Sequence, residues 1–378
     1  MDFSGGLYGF GIPFLIILTA LVFIHELGHY LVARWNGVRV EVFSIGFGPE
    51  LFGWTDKAGT RWKFSAIPLG GYVKMFGDAN AASMPSDESP EMSEAERAVA
   101  FPHKRLNQRV WIVAAGPIAN FLFAIVLLAG LFSIIGQPFT PAVVGAVVPD
   151  SAAEAAGFQA GDEITAVNGN SVARFEELQR IVGLRPEENL EITVLRDGEE
   201  LELIATPARV VRENSLGEAQ EVGQLGIQRS GNAFIRHDPV TAVWQATRET
   251  ISIVSQTFTA LGQIIRGDRG ADELGGPIRI AQMSGQVAEH GIPQAIFFAA
   301  VLSINLGLIN LFPIPMLDGG HLLFYAVEAV RGRPLGERAQ EYGFRIGLAL
   351  VLTLMVFVTW NDLARFETLA NFFKGLVT

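Results

Sequence analysis

The feature that most constrains this chain is an apolar stretch, from about residue 10 to residue 32, that contains the segment His25-Glu26-Leu-Gly-His29. An ionisable side chain at the centre of a bilayer costs up to about 3 kcal/mol, so three of them in five residues require a compensating partner or function. On a helix, His25 and His29 lie at i and i+4 on one face and can bind one metal ion, with Glu26 beside the open position. The alternative, a chance occurrence in a soluble helix, is disfavoured because the flanking residues leave no polar face.

A metal site of this kind needs a third protein ligand, because two histidines leave a tetrahedral ion half coordinated. The candidate is Asp318, which lies in a second apolar stretch from Ala295 to Val330. Pro313 and Pro315 disrupt helical hydrogen bonding, so the backbone there can unwind and direct the carboxylate at the metal. The alternative role for Asp318 is the N-cap of a helix that starts near Gly320, which is compatible with metal binding.

The apolar segments predict a membrane α-helical fold with four transmembrane helices. Besides the two stretches above, Val110 to Ile135 and Ile346 to Val358 with its flanks are long enough to cross a bilayer. The first of these could instead be a buried core helix, but its length argues against that. A hydrophobic content of 49% and a mean hydropathy of +0.32 suit a membrane protein that carries a soluble module.

Together, HELGH and the segment NLFPIPMLDGG, which spans residues 310 to 320, resemble the site-2 protease family of intramembrane zinc metalloproteases. The resemblance is to the bacterial regulator-of-sigma-E type and covers nearly the whole chain, except an acidic loop near residues 78 to 100. Further segments that match the family in the same order are GFGP at 46–49, IPLGGYVK at 67–74, AGPIAN at 115–120 and GPI at 276–278.

The resemblance implies a Zn²⁺ cofactor and specific roles for individual residues. It makes His25, His29 and Asp318 the zinc ligands and Glu26 the catalytic acid/base. The residues implied to contact substrate are Asn310, Gly46, Phe47 and Gly48. The alternative for Asn310 is a helix–helix hydrogen bond.

A soluble pattern begins at Pro141 and resembles an α+β PDZ-like domain, placed at residues 137–232. Its strands are expected at 143–148 and 163–167, its helices at 152–156 and 175–182, with a turn at 168–169. The segment Leu225-Gly226-Ile227 resembles the peptide-terminus loop of that fold in circularly permuted order, so a groove there could bind a chain end. The alternative is a spacer that blocks access to the site. Only one such module fits here, whereas some relatives carry two.

A membrane-associated β-hairpin is predicted in the first loop. Val38 to Ile45 and Arg61 to Phe64 alternate in polarity on either side of the turn-like segment Asp56 to Gly59. The resemblance implies a re-entrant element that borders the active site, whereas an ordinary cytoplasmic hairpin is the simpler alternative. The stretch Gly77 to Glu96 is expected to be a flexible loop.

The remaining segment, residues 233–293, is expected to hold an amphipathic helix and a loop. Apolar residues recur at steps of three or four between Val243 and Ile265, and Gly267 to Gly276 is loop-like. The helix could lie on the outer membrane surface or pack against the protein core. The expected organisation is thus residues 1–136 with the first two spans and the hairpin, 137–232, 233–293, and 294–378 with the last two spans.

Basic residues predict the orientation in the membrane. Lys and Arg are absent from residues 1–33 but flank the first long loop and the loop near residues 331–345, so both loops should be cytoplasmic. The PDZ-like domain then lies outside, in a bacterial cytoplasmic (inner) membrane, and the first span is retained because it lacks the basic start of a signal peptide. The absence of cysteine excludes disulfides and thiolate ligands, and a net charge of −11 argues against nucleic-acid binding.

These features predict a zinc-dependent intramembrane endopeptidase. By resemblance, its substrates are transmembrane segments of single-span membrane proteins, of the anti-sigma-factor or remnant signal-peptide type, cut after an upstream site-1-type protease in regulated intramembrane proteolysis. One alternative is a PDZ-bearing membrane scaffold with a structural zinc site, although such a site would have four protein ligands. The other, a membrane-anchored protease with an exposed site, conflicts with the position of HELGH inside a span.

Overall fold

The computed structural model describes residues 7–78, 92–172, 174–213, 219–231, 233–267 and 275–364. Most of the predicted loops at 77–96 and 267–276 therefore lies outside the described residues. The chain forms two compact units. The first consists of Met1–Gly130, Val243–Thr259 and Ala271–Thr378, and the second, the inserted unit, of Leu131–Ala242 and Ala260–Gly270.

The N-terminal part alternates membrane-length helices with a β-sheet. A π-helical turn at Leu7–Gly11 leads into the first helix. The elements that follow are α1 (Ile12–Trp35), β1 (Val40–Thr55), β2 (Arg61–Met75), α2 (Glu94–Val99) and α3 (Leu106–Ile134). Helices α1 and α3 approach closely at Gly28, where a Cβ atom would lie 2.3 Å from the carbonyl oxygen of Ala115 and 2.8 Å from Cβ of Ala119. Small residues at such a crossing let two helix backbones pack tightly in a membrane.

The two long strands β1 and β2 fold into a sheet more elaborate than the predicted hairpin. Residues 42–45 of β1 pair on one side with 61–64 and on the other with 71–74, while 50–55 pair with 61–65. The sheet therefore has four strand segments, in the order 50–55, 61–65, 42–45 and 71–75. Within the described part of the chain, segment 71–75 has a strand neighbour on one side only. It is an edge strand, and its second row of backbone groups has no strand partner.

The inserted unit is an α+β module, as its alternating pattern predicts. Its elements are β3 (Gln137–Phe139), β4 (Val144–Val147), α4 (Ala152–Ala155), β5 (Glu163–Val167), β6 (Asn170–Ser171), α5 (Phe175–Gly183), β7 (Leu190–Arg196), β8 (Glu199–Ala205), β9 (Ala208–Glu213), β10 (Ala219–Gln224), β11 (Ile227–Arg229) and β12 (Ala233–Ile235). A four-stranded sheet has the order β6-β5-β7-β8, and the pairs β9–β10, β4–β11 and β3–β12 complete the strands. Asn168 and Gly169 both have positive φ, 50° and 73°, as a tight hairpin turn requires.

Apolar side chains from the strands and from α5 form the core of the inserted unit. Ile164, Leu190 and Ile192 are almost fully buried within it. The described part of the unit also contains an ion pair with a buried acid, in which Arg196 donates from Nε and Nη2 to the carboxylate of Asp162 at 2.7 and 2.8 Å.

The C-terminal part is helical. Its elements are α6 (Pro239–Arg266), α7 (Pro277–Glu289), α8 (Ile292–Asn310), α9 (Asp318–Arg331) and α10 (Glu337–Ala364). The predicted amphipathic helix corresponds to α6. The apolar stretch that predicted the third span is interrupted, because α8 ends at Asn310 and α9 begins at Asp318.

Four helices in the described part of the chain are long and apolar enough to cross a membrane. They lie at Gly9–Trp35, Leu106–Ile134, Ile292–Asn310 and Arg338–Leu363. The amphipathic helix α6 is not among them, in agreement with its polar residues. These four helices agree with the four predicted spans and with a multi-pass membrane protein.

Candidate active site

The two histidines of HELGH converge as helical spacing predicts. His25 and His29 lie on one face of α1, are 9% and 8% exposed, and have their Nε2 atoms 3.3 Å apart. Residues at i and i+4 of a helix stack one above the other, so the local fold alone brings the rings together.

Asp318 joins the histidines from a distant part of the chain. Its Oδ2 atom lies 3.1 Å from Nε2 of His25 and 3.5 Å from Nε2 of His29. A turn orients it, in which the N–H of Leu317 donates to the carbonyl of Ile314 at 3.0 Å and Met316 has a φ of +91°. The N-cap alternative is wrong, because Leu317 is the N-cap residue of α9 and Asp318 is the first residue inside the helix.

The donor set fits a zinc ion. A tetrahedral ion with ligand atoms at about 2.0–2.1 Å has ligand–ligand separations of roughly 3.3–3.4 Å, close to the three distances above. Oδ2 of Asp318 is buried and has no hydrogen-bond partner among the described residues. Three lone pairs that converge in a buried space repel one another unless a cation lies between them. Among the described residues, His25, His29 and Asp318 form a group that could hold a metal ion.

Helix α3 supports the histidines from behind. The ring N–H at Nδ1 of His29 donates to the backbone carbonyl of Ile112 at 2.9 Å, which leaves Nε2 unprotonated for the metal. One turn further along the helix, a Cβ atom on Gly116 would lie only 2.3 Å from Nε2 of His29 and 2.9 Å from Cε1 of His25. Position 116 must therefore lack a side chain for both imidazoles to fit.

A cavity of about 200 Å³ opens beside the three candidate ligand atoms. Glu26 and Asn310 both line it, as do three consecutive residues of the edge strand. The backbone N–H of Val73, in that strand, lies near the carboxylate of Glu26. The other lining residues are Gly71, Tyr72, Met75, Phe101, Val113, Met316, Leu317, His321 and Tyr325.

An ion pair ties α3 to the helix that carries Asp318. Arg109 donates to the carboxylate of Glu328 at 2.5 Å, and both side chains are about 15% exposed. The guanidinium of Arg109 also lies 4.9 Å from the ring centre of Tyr325, which lines the cavity. A desolvated charge pair with a cation–π contact restrains the relative position of the two helices.

The GFGP residues expected at the substrate site do not line the cavity. Gly46 and Gly48 have φ values of +89° and +86°, and they shape the bend of β1 on either side of Phe47. The ring of Phe47 stacks on the ring of Tyr72, with 6.1 Å between the ring centres, and Tyr72 lines the cavity.

The residues predicted for a peptide groove lie in the inserted unit. Leu225 is buried in its core, the carbonyl of Gly226 accepts a hydrogen bond from the N–H of Val148 at 2.8 Å, and Ile227 pairs with Val147 in the β11–β4 ladder. A cavity of about 330 Å³ in this unit is lined by a different set, Val167, Asn170, Ser171, Glu177, Arg180, Ile181 and Arg185.

Several functional positions carry a signal that sequence reasoning did not assign to a role. Gly116 and Asn120 belong to the AGPIAN segment, and Gly71 to Val73 belong to IPLGGYVK. Both segments match the family, but their contribution to the site depends on contacts between elements far apart in the chain.

Membrane-length helices that carry a His–Glu–x–x–His pair and a remote aspartate define a multi-span zinc metalloprotease. The chain belongs to Peptidase family M50, whose model matches residues 13–354. The predicted family, enzyme class and zinc cofactor are thereby confirmed.

Similar proteins extend over almost the whole chain. A protein of Agrobacterium fabrum, named provisionally as a zinc metalloprotease, is 52% identical over 96% of this chain and 98% of its own length. The metalloprotease MmpA of Caulobacter vibrioides is 39% identical over 97% of this chain and 98% of its own length. Among solved structures, the PDZ domain of an SdrC-like protein from Listeria monocytogenes aligns with 24% of this chain and 88% of its own, at 17% identity and a TM-score of 0.19.

Proposed function

We propose that this protein is an intramembrane endopeptidase that cuts transmembrane segments of single-span membrane proteins after an upstream protease has shortened their external domain. Anti-sigma-factor-type proteins and remnant signal peptides are the substrate classes. The observation that carries the proposal is that the converging candidate ligand atoms, Glu26 and the edge strand 71–75 all border one cavity at a membrane-length helix.

In this proposal His25, His29 and Asp318 hold the metal and Glu26 is the general acid/base. Zinc, when bound, lowers the pKa of a bound water toward about 7 and polarises the scissile carbonyl. The carboxylate of Glu26, adjacent to His25 in the chain, takes the proton from the attacking water and passes it to the leaving amine. The backbone N–H of Val73, near that carboxylate, favours its charged form at the edge of the cavity.

The edge strand gives the substrate a template. A peptide must be extended to be hydrolysed, and its unpaired backbone groups cannot be left in lipid. Among the described residues, segment 71–75 has one strand neighbour, and its residues 71–73 line the cavity, so an unwound substrate segment can add to it as a further strand. Asn310, at the C-terminal end of α8, lies on the same cavity and contacts the unwound substrate.

The orientation is proposed from the basic residues that flank the first long loop and the loop before the last span. These loops face the cytoplasm of a bacterial inner membrane, and the inserted unit lies outside. There the inserted unit, a PDZ-like domain at about residues 137–232, either excludes substrates that retain a large external domain or recruits the new chain end. Deletion of residues 141 to 230 distinguishes the two roles, because a filter would then admit intact substrates, whereas a recruiter would lose shortened ones.

The test of the enzymatic proposal is Glu26→Gln in the purified full-length protein. The amide keeps the size of the side chain but cannot act as a base, so cleavage of a single-span peptide should fall by at least ~100-fold while bound zinc stays near one per chain. Glu94→Gln, on the exposed surface of α2, is the matched control and should cleave at the wild-type rate.

The same experiment rejects the proposal if Glu26→Gln cleaves like the wild type. The scaffold alternative predicts no cleavage by the wild type and no effect of the substitution on partner binding. Against that alternative, the described residues offer three ligands to the metal rather than the four of a closed structural site.

A further inference from the structure

One face of α3 contacts the two histidines through three residues, and the third of them, Asn120, has no role assigned above. Ile112, Gly116 and Asn120 follow one another at steps of four, so they lie along one line of the helix. The backbone carbonyl of Ile112 accepts a hydrogen bond from the ring of His29, and Gly116 leaves room for both imidazole rings. Asn120 is fully buried and its side-chain amide lies 3.1 Å from Nδ1 of His25.

The tautomer of His25 decides how this contact works. A neutral imidazole has one N–H donor and one acceptor nitrogen, and a metal binds the nitrogen without the proton. Nε2 of His25 is the atom that points at Asp318 and His29, 3.1 and 3.3 Å away. Nδ1 must therefore carry the proton, and its partner must be an acceptor.

The amide of Asn120 can supply that acceptor. With Nδ2 toward His25, Oδ1 is left buried without a hydrogen-bond partner. The two ends of an amide are nearly the same in shape, so their assignment follows from the hydrogen bonds that they must make. Rotation of the amide by half a turn brings Oδ1 to Nδ1 of His25, which gives the orphaned oxygen a donor and leaves Nε2 free.

We infer that Asn120 is a positioning residue that fixes the metal-binding tautomer of His25, as the carbonyl of Ile112 does for His29. The inference rests on the proposed ligand role of His25. Each histidine is then held from α3 by one acceptor, a side-chain amide in one case and a backbone carbonyl in the other. Such outer partners orient a ring and raise its basicity toward the metal.

Helix α8 fixes Asn120 in turn. Ser303 is fully buried and its hydroxyl donates to the backbone carbonyl of Asn120 at 2.8 Å. A Cβ atom on Gly307 would lie 3.3 Å from Cβ of Asn120, so α8 packs directly on this side chain. The side chain of Asn120 is therefore confined, so its amide oxygen cannot readily reach another hydrogen-bond donor.

The test is the zinc affinity of purified full-length variants, measured by competition with a chelator of known affinity. Asn120→Leu has a similar size but no acceptor, and should weaken zinc binding by about 10–100-fold. Asn120→Asp keeps an acceptor at the same place, so its affinity should stay within about threefold of the wild type or exceed it. Ser284→Ala, which removes a buried hydrogen bond to the carbonyl of Ile280 within α7, is the structural control and should bind zinc like the wild type.

A packing role for Asn120 predicts the opposite order, because a buried carboxylate disturbs an apolar helix contact more than leucine does. Wild-type affinity in Asn120→Leu, or equal losses in the leucine and aspartate variants, would overturn the inference. If Asn120→Leu does not fold, Asn120→Ala is compared with Asn120→Asp by the same criterion. His25→Ala separates the two proposals, because unchanged zinc binding in that variant removes the ligand role itself.

Discussion

Substitution of Gly116 by alanine is the sharpest test of the metal centre. The added Cβ would lie 2.3 Å from Nε2 and 2.6 Å from Cε1 of His29, whereas ordinary contacts of a Cβ atom are 3.4–4 Å. The ring must move by about 1 Å, yet a metal site tolerates deviations of only about 0.2 Å in its distances. We expect Gly116→Ala to weaken zinc binding by more than ~100-fold, or about 3 kcal/mol, because it displaces a ligand rather than an outer partner.

The assay is zinc retained per chain after dialysis against a graded series of chelator concentrations, with peptide cleavage measured in parallel. Gly130→Ala is the matched control, since it lies in the same helix and a Cβ atom there has no neighbour within 4 Å. That variant should keep its zinc and match or exceed the wild-type thermal stability, because alanine favours helix more than glycine does. Wild-type zinc affinity in Gly116→Ala would refute the placement of α3 against the histidines.

Three further predictions address other parts of the chain. In the inserted unit, burial raises the pKa of Asp162, but the hydrogen bonds from Arg196 outweigh it and hold that pKa below its ordinary value. The pair therefore stabilises the fold above about pH 4 and loses this effect as the pH falls through the folded value. Arg196→Ala should therefore lower the free energy of unfolding at pH 7 and do so progressively less in acid, measured by denaturant titration. At the turn before α9, Met316→Val should lower stability by about 1 kcal/mol and Met316→Gly should not, because a φ of +91° is strained for a β-branched residue; equal midpoints in thermal unfolding would contradict this. A cysteine at the exposed position Glu200 should react with an impermeant thiol reagent on intact cells and one at Gly336 should not, and the reverse pattern would invert the proposed orientation.

The sequence predicts most of the elements, because their signals are local. Continuous apolar segments predict the membrane-length helices, and the turn at Asn168 and Gly169 predicts the β5–β6 connection. The sequence pattern underestimated the sheet of the first loop, where residues 42–45 pair with 61–64 on one side and with 71–74 on the other. A long-range register of this kind depends on the packing of the whole sheet, which alternation of polar and apolar residues does not encode.

What the sequence determined by itself is the chemistry available to the protein. Helical spacing alone puts His25 and His29 on one face, and residue type alone makes them and Asp318 candidate metal ligands. Only the tertiary structure decided that Oδ2 of Asp318 comes within 3.5 Å of both imidazoles, that Gly116 must be small, and that Asn120 contacts His25. The physical reason is that a metal site needs groups from separate helices held to within a fraction of an ångström, and that precision comes from packing between α1, α3 and α9 rather than from any one segment.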